Sequence, residues 1–165
     1  MQVNFFDTTH AQTTNATSFG ICDDQDHTPA YIDETNKDKW VADVRNANGK
    51  TTTFHPIDNC INAFRTDGTI DNRCDGMLEY DNKLIFVELK NRNNQGWLGH
   101  GLKQLKSSIG HFEKAHPTLL SSSIIKAHLC NRQRPSAAKS YITSQARFKD
   151  ETGYIVEINR VITID

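Results

Sequence analysis

The chain has 165 residues, enough for one domain with a hydrophobic core and too few for two ordinary domains and a linker. We therefore interpret residues 1–165 as a single domain. Hydrophobic residues make up 36% of the chain, charged residues 24%, and the mean hydropathy is -0.62, values that exclude a disordered or membrane-embedded protein. No apolar segment approaches the roughly 20 residues of a membrane-spanning helix, and no signal-peptide pattern opens the chain, so we expect a cytoplasmic protein.

The formal net charge of -1 conceals a strong separation of charge along the sequence. Residues 1–82 carry 6 Lys and Arg against 14 Asp and Glu, whereas residues 83–149 carry 12 against 2. This asymmetry suggests a basic face that binds nucleic acid or an acidic partner. The alternative is that folding scatters the basic side chains over several solvated faces.

The first half of the chain contains weak structural signals. Residues 1–18 are rich in Thr, Asn and Gln, which predicts an N-terminal arm or edge segment outside the core. From Trp40, two β-like segments flank the Asn-Gly signal within residues 47–50, so we predict a hairpin. Residues 58–64 are predicted to form a short helix, and residues 66–72 a polar loop.

The second half has clearer periodicity. The segments RCDGMLEY and KLIFVELK flank residues 81–82, which predicts a second hairpin. Apolar residues recur at spacings of three and four over residues 98–112, as in an amphipathic helix. The remaining predictions are a strand over 123–130, a helix over 136–148 with Gly153 as its stop, and a closing strand over 154–164. This order favours an α/β fold with a central mixed β-sheet flanked by helices.

The second hairpin carries a constellation of charged residues. Alternation along residues 84–90 puts Glu88 and Lys90 on one face of the strand. A two-residue turn at 81–82 places Asp75 opposite Glu88, and a shift of that turn by one residue keeps Asp75 on the same face. A three-residue loop would aim Asp75 at the other face. With either two-residue turn, the sequence gathers two carboxylates and one ammonium group.

Two carboxylates on neighbouring strands suit a hard divalent cation, Mg²⁺ or Mn²⁺, and the backbone carbonyl of Leu89 could complete the protein ligands. Such an ion polarises a phosphodiester and lowers the pKa of bound water, while Lys90 orients that water or neutralises charge on phosphate oxygens. The alternative interpretation is an ordinary surface salt bridge between Glu88 and Lys90, with Asp75 merely ending the preceding loop.

The order of these residues resembles the PD-(D/E)XK nuclease superfamily, whose core is that of restriction endonucleases. The likeness covers about residues 57–130: Asp75, then Glu88-Leu89-Lys90 ending a hydrophobic strand, then a helix that bears Gln104. The resemblance implies that Asp75 and Glu88 bind the metal, that Lys90 assists catalysis, and that Gln104 lies near the phosphate.

The resemblance also sets expectations for substrate and assembly. It implies cleavage of DNA rather than RNA, and a possible homodimer. Cys74 stands where the family name has proline, a variable position. Many members carry a further acid before the hairpin, for which Asp58 is the nearest candidate and Glu34 a poorer one.

Other polar residues near the motif have less specific roles. Four cations are candidate contacts to backbone phosphates, with a solubilising surface role as the alternative: Lys103, Lys106, Arg132 and Arg134. We expect Trp97 to be a buried anchor rather than a base-stacking residue. His100 and His111 lack a metal-ligand partner at helical spacing, so we expect surface or supporting roles for them. We expect the four widely spaced cysteines to be buried thiols: Cys22, Cys60, Cys74 and Cys130.

Two other functional classes compete with the nuclease. One is a catalytically silent module of the same fold that binds nucleic acid without cutting it. The other is an interaction protein whose acidic first half and basic later half mediate assembly, without metal dependence. The presence of Asp75, Glu88 and Lys90 together favours the nuclease over both.

Overall fold

The structure, a computed structural model, describes residues 3–165. Its strands are β1 (Gln12–Thr14), β2 (Ser18–Cys22), β3 (Tyr31–Asp33), β4 (Ala42–Arg45), β5 (Thr52–Pro56), β6 (Gly76–Tyr80), β7 (Lys83–Lys90), β8 (Ile124–Asn131), β9 (Val156–Ile158) and β10 (Val161–Thr163). Its α-helices are α1 (Trp97–Ala115) and α2 (Ile142–Thr152). Short 3₁₀ helices span Lys37–Lys39, Pro117–Leu119 and Lys139–Tyr141.

The strands form two sheets. The larger has the order β1-β5-β6-β7-β8-β9, with antiparallel pairs from β1 to β7 and parallel pairs from β7 to β9. The smaller has the order β10-β4-β2-β3, in which β10 and β4 are parallel and the other pairs antiparallel. The predicted mixed α/β fold is therefore confirmed, and a second sheet is added to it.

Two hydrophobic cores divide the molecule into three layers. One core joins the helices to the six-stranded sheet, and its large buried members include Phe5, Phe86, Leu105, Ile109 and Phe112. The other joins the two sheets, and its members include Phe19, Ile21, Phe54, Leu78 and Ile162. Strand β7 contributes alternate residues to both cores, which explains why its sequence is apolar at nearly every position.

The predicted elements of the second half mostly form as expected. Tyr80 pairs with Lys83 across the turn at residues 81–82, so of the registers that the sequence left open the second hairpin has the one with a two-residue turn at 81–82. Helix α1 includes the whole predicted amphipathic segment and begins at Trp97, which is half-buried. Strand β8 covers the predicted strand, although its second face is also buried, as His128 shows with 4% exposure.

The first predicted hairpin is wrong. Both of its strands form, but β4 pairs with β2 and β10 while β5 pairs with β1 and β6, in different sheets. The Asn46 side chain holds the connection between the layers, because its Nδ2 donates to the carbonyls of Ala16 and Lys50 while its Oδ1 accepts from the Lys50 N–H. The connection is a corner between sheets rather than a hairpin turn.

The C-terminal predictions need two corrections. Helix α2 begins at Ile142 rather than near residue 136, although Gly153 ends it with a φ of 82°, as predicted. The predicted closing strand divides at Asn159 and Arg160 into β9 and β10, which join different sheets. Arg160 Nη2 donates to the carbonyl of Trp40 at 2.6 Å. This hydrogen bond holds the connection between β9 and β10 against the segment that leads into β4 of the smaller sheet.

The predicted helix at residues 58–64 is also wrong. The chain makes a turn there, and Asn59 adopts a φ of 61°, outside the right-handed helical region. Residues 63–71 then form a small hairpin closed by a bridge between Phe64 and Ile70. No helix is available in this segment to present an acidic residue to the site.

The N-terminal segment is partly core. Strand β1 is an edge strand, as expected, but Phe5 is only 1% exposed and packs edge-on against Phe86 and Phe112.

Cys60 is exposed, contrary to expectation, whereas the other three cysteines are buried thiols. Within residues 3–165, no helix is both long and apolar enough to cross a membrane.

Candidate active site

The three charged residues of the second hairpin meet between β7 and α1. Glu88 and Lys90 lie at the carboxyl end of β7, on the face that packs against the helix layer, and Asp75 directly precedes β6. All three are buried, with exposures of 2%, 8% and 8%. The surface salt bridge that the sequence left open as an alternative is therefore excluded by burial.

A backbone N–H just beyond the end of the β6–β7 ladder orients the Asp75 side chain. The last pair of that ladder is Gly76 with Val87, so the N–H of Leu89 lies beyond it. The Asp75 carboxylate accepts this N–H at 2.7 Å. Because the N–H and C=O of one strand residue point to the same side, the Leu89 carbonyl also faces the side of Asp75.

Gly76 is required for this arrangement. A Cβ atom at Gly76 would lie 2.2 Å from Cζ of Phe54 and 2.9 Å from the carbonyl oxygen of His55. The glycine therefore allows β5 and β6 to approach closely at the position next to Asp75. A larger residue would push the start of β6, and with it Asp75, out of place.

Lys90 is surrounded by acceptors. Its Nζ lies 2.8 Å from Oε1 of Glu88 and 2.6 Å from Oε1 of Gln104. Nδ1 of His100 is farther away, at 3.4 Å. Gln104 uses its Nε2 to donate to the Arg73 carbonyl at 3.0 Å. Gln104 therefore lies next to Lys90 and orients its ammonium group, whereas the resemblance implied a place near the phosphate.

Burial dominates the electrostatics of the two carboxyl groups. Burial, with the nearby Glu88 charge, raises the pKa of Asp75 well above its ordinary value. Burial also raises the pKa of Glu88 to about 7, against the opposing effect of the Lys90 charge. Oε2 of Glu88 is buried and receives no N–H within the described part of the chain, whereas the Asp75 carboxyl group lies within hydrogen-bonding reach of Glu88. Two buried carboxyl groups thus share one ammonium group, and a bound cation would stabilise the ionised form of both.

The available ligands fit a hard divalent cation. Within residues 3–165 there is no group of three or more His, Cys, Asp and Glu side chains arranged to hold a metal ion. Asp75 and Glu88 offer carboxylate oxygens, and Leu89 offers its carbonyl on the same side. Magnesium commonly binds through one or two carboxylates and retains several waters, so this small oxygen set suits it.

Neither predicted further acid completes the set of ligands. The charge of Asp58 contributes to the raised pKa values of Asp75 and Glu88, which places it near the site. However, Asp58 forms an ion pair with Arg73 at 3.0 Å. Glu34 accepts a hydrogen bond from Thr14 on the edge strand β1, three strands away from β7 in the sheet.

A cleft of about 280 Å³ opens beside Lys90. Its lining includes Lys90, Arg92, Asn94, Gln95, Trp97 and His100. Asn131 holds its rim, because its Nδ2 donates to the Arg92 carbonyl at 2.7 Å and its Oδ1 accepts the Arg92 N–H at 3.3 Å. Sequence reasoning missed Arg92, although its place two residues after Lys90 was a usable signal. Trp97 both lines the cleft and packs against Tyr141, with ring centroids 6.0 Å apart.

The four predicted phosphate contacts divide into two groups. Arg132 donates its N–H to the Lys90 carbonyl at 2.9 Å, so the loop that carries Arg132 and Arg134 adjoins the end of β7. Lys103 and Lys106 lie on the exposed face of α1, where Lys106 pairs with Glu151 at 3.0 Å. His111 binds Asp71 at 3.0 Å, the supporting role expected of it.

The comparisons with known proteins gave no match, whether against protein-family models, curated proteins or solved structures. A functional conclusion for this chain therefore depends on the site itself. Its main features are the buried pair Asp75 and Glu88, the ammonium group of Lys90 and the open cleft beside them.

Proposed function

We propose that the chain is a Mg²⁺- or Mn²⁺-dependent nuclease that hydrolyses phosphodiester bonds in DNA. The main supporting observation is the pair of buried carboxyl groups, one oxygen of which receives no N–H donor, beside a buried ammonium group at the mouth of a cleft. In a purely structural ion pair, a second buried carboxylate would add a desolvation cost without an opposite charge of its own. The preference for DNA comes from the PD-(D/E)XK resemblance.

Asp75, Glu88 and the Leu89 carbonyl would hold the metal ion. When bound, such an ion polarises the phosphodiester and lowers the pKa of a coordinated water. The hydrogen bond from the Leu89 N–H keeps the Asp75 carboxylate oriented toward β7. The rigid sheet thus presents both carboxylates in advance, which limits reorganisation during the reaction.

Lys90 supplies a positive charge whose position is fixed by its hydrogen-bond partners. Two of its N–H donors are engaged by Glu88 and Gln104 at short distances, and the third has only the 3.4 Å contact with His100. That third donor is available to a phosphate oxygen or to the attacking water. Lys90 therefore stabilises the negative charge that develops on the phosphate.

The cleft beside Lys90 would receive the scissile phosphate. Arg92 and Arg132 lie at the ends of β7 and β8, where their charges can hold the phosphates on either side of it. Arg134 follows in the same loop. These contacts orient the backbone without reading the bases.

The test is a cleavage assay on linear duplex, circular and single-stranded DNA, with an RNA control, in Mg²⁺, Mn²⁺ and EDTA. Wild-type protein should cut DNA in either metal and not in EDTA. The Glu88→Gln variant, which keeps the shape of the side chain, should lose at least about 100-fold in rate because it removes one charged ligand.

The matched control is Glu79→Gln. Glu79 lies on the same face of β6 as Asp75, at the other end of the strand, where it pairs with His55 at 2.6 Å. The Glu79→Gln variant should cut DNA at the wild-type rate. Full activity of Glu88→Gln would contradict the site assignment, and binding of DNA without metal-dependent cutting would instead support the silent module.

A further inference from the structure

A second, larger cleft lies farther along α1 from the site. It has a volume of about 560 Å³ and runs between α1 and the small hairpin of residues 63–71. We call it the α1 cleft. Its lining includes Phe64, Arg65, Lys103, Lys106, His111 and Lys114. The proposed cleavage chemistry uses none of its apolar residues.

One face of α1 runs from the α1 cleft to the active site. His100, Lys103, Ser107, Gly110 and Lys114 follow one another at spacings of three and four, so they share a face of α1. His100 contacts Lys90 at one end of this stripe. At 1.5 Å per residue, the stripe extends ~21 Å from His100 to Lys114.

The charge of the α1 cleft favours an anionic ligand. Four cations line it, against one carboxylate, Asp71. That carboxylate is already engaged by Arg65 at 3.1 Å and by His111 at 3.0 Å. Lys103 and Lys114 form no ion pair with any residue from 3 to 165, so their charges remain available to phosphates.

An exposed aromatic ring stands at the wall of the same cleft. Phe64 is 54% exposed, and its bridge partner Ile70 is 50% exposed. Two backbone hydrogen bonds hold the hairpin beneath them: the N–H of Arg65 donates to the Thr69 carbonyl at 2.8 Å, and the N–H of Asp71 donates to the Ala63 carbonyl at 2.8 Å. An exposed aromatic ring beside several cations is the combination that binds unpaired bases together with their phosphates.

We propose that the α1 cleft binds a single-stranded segment of DNA and leads it to the active site. Lys103 and Lys114, whose charges are not paired, contact phosphates of the strand, and Phe64 stacks on a base. The identification of the ligand as DNA rests on the proposed nuclease function. In an intact duplex the base faces are covered by their neighbours, so Phe64 selects single strands, overhangs or flaps over blunt duplex.

The first test measures binding in EDTA, where no cutting can occur, by fluorescence anisotropy of labelled oligonucleotides. Wild-type protein should bind a single strand more tightly than a blunt duplex of the same length. Phe64→Ala and Phe64→Leu should weaken single-strand binding about 5- to 100-fold, whereas Phe64→Trp should retain it, because stacking needs an aromatic face. Ile142→Ala, at an apolar residue that is 62% exposed elsewhere, is the control and should bind normally.

The second test addresses the phosphate contacts. The double variant Lys103→Ala/Lys114→Ala should reduce the slope of log affinity against log salt by about 1.4, since each phosphate contact to a single strand contributes about 0.7. Lys39→Ala, an exposed lysine in the 3₁₀ helix before β4, should leave the slope unchanged.

The outcomes separate this proposal from the nuclease function. Equal affinity of Phe64→Leu and wild type, tighter binding of blunt duplex, or tighter binding of a matched RNA strand would overturn the proposal even if metal-dependent cutting of DNA is observed. Single-strand binding that depends on Phe64 would support it even if Mg²⁺ never produced cleavage, in which case only the proposed nuclease function would fail.

Discussion

Lys90 is the residue on which the site depends most directly. Its ammonium group is buried with two carboxylates, and it is oriented by Gln104 from the neighbouring helix. A buried lysine without such partners would be neutral or excluded from the core. The hydrogen bonds of Gln104 therefore determine where the positive charge of the site lies.

If the proposed nuclease function is right, the Lys90→Ala variant should bind Mg²⁺ but lose about 10²- to 10³-fold in cleavage rate, because the proposed metal ligands remain while the charge beside the phosphate is removed. Calorimetric titration with Mg²⁺ and single-turnover cleavage measure the two effects separately. Near-normal rates, or complete loss of ion binding, would contradict the role assigned to Lys90.

Gln104 offers the matched comparison for this prediction. Gln104→Leu should reduce the rate less than Lys90→Ala, because the ammonium group remains but is no longer oriented. Gln104→Glu should recover part of the lost rate, since its carboxylate can also accept from Nζ of Lys90. A purely structural role for Gln104 would show no such difference between the two substitutions.

At the scale of elements, α1 serves as one wall of the site and packs closely against the sheet. Gly101 makes this possible: a Cβ atom there would lie 2.7 Å from Cδ1 of Leu129 and 3.4 Å from Cε of Lys90. Leu129 is fully buried in β8 and has little room to move. The helix can therefore reach Lys90 with Gln104 only because residue 101 lacks a side chain.

Gly101→Ala should lower the free energy of unfolding by about 1–3 kcal/mol, since the added methyl group overpacks the contact between α1 and β8. Gly110→Ala is the control on the same helix, because a Cβ there meets nothing within 4 Å. It should raise stability by about 0.5–1 kcal/mol through helix propensity. Denaturant unfolding measures both, and equal effects of the two substitutions would contradict the close-packing account.

At the scale of the whole molecule, the smaller sheet covers the face of β7 opposite the site. Ile85, Val87 and Leu89 pack into the core between the two sheets, and Ile162 of β10 closes that core from the C-terminal end. Because β7 carries Glu88 and Lys90, the position of these residues depends on a layer that packs on the opposite face of the strand. The second sheet thus contributes to the site by supporting β7.

Two isoleucines of the C-terminal segment test this dependence. Ile162→Ala should cost about 2–5 kcal/mol of unfolding free energy, because the side chain is 1% exposed and its removal leaves a cavity between the sheets. Ile155→Ala, at a position that is 51% exposed, should change stability by no more than about 0.5 kcal/mol. Thermal unfolding of both variants measures the two changes in stability. A small effect of Ile162→Ala would mean that the core between the two sheets contributes little to the stability of the fold.

The sequence by itself determined the features that depend on neighbouring residues. For a two-residue turn in either position, the period of a strand places Asp75, Glu88 and Lys90 on one face, and the structure shows which register forms. Helix α1 follows from its apolar spacing, and the end of α2 from Gly153. These features require only local geometry, so a sequence contains what is needed to predict them.

Only the tertiary structure decided how distant segments combine. Strands β4 and β5, and likewise β9 and β10, are close in sequence but join different sheets, because each strand pairs where its apolar face can be buried. The core position of Phe5, the contact of Gln104 with Lys90 and the approach of Phe64 to the lysines of α1 have the same origin. Such contacts depend on the shapes of surfaces that exist only after the chain has folded, which is why sequence patterns did not reveal them.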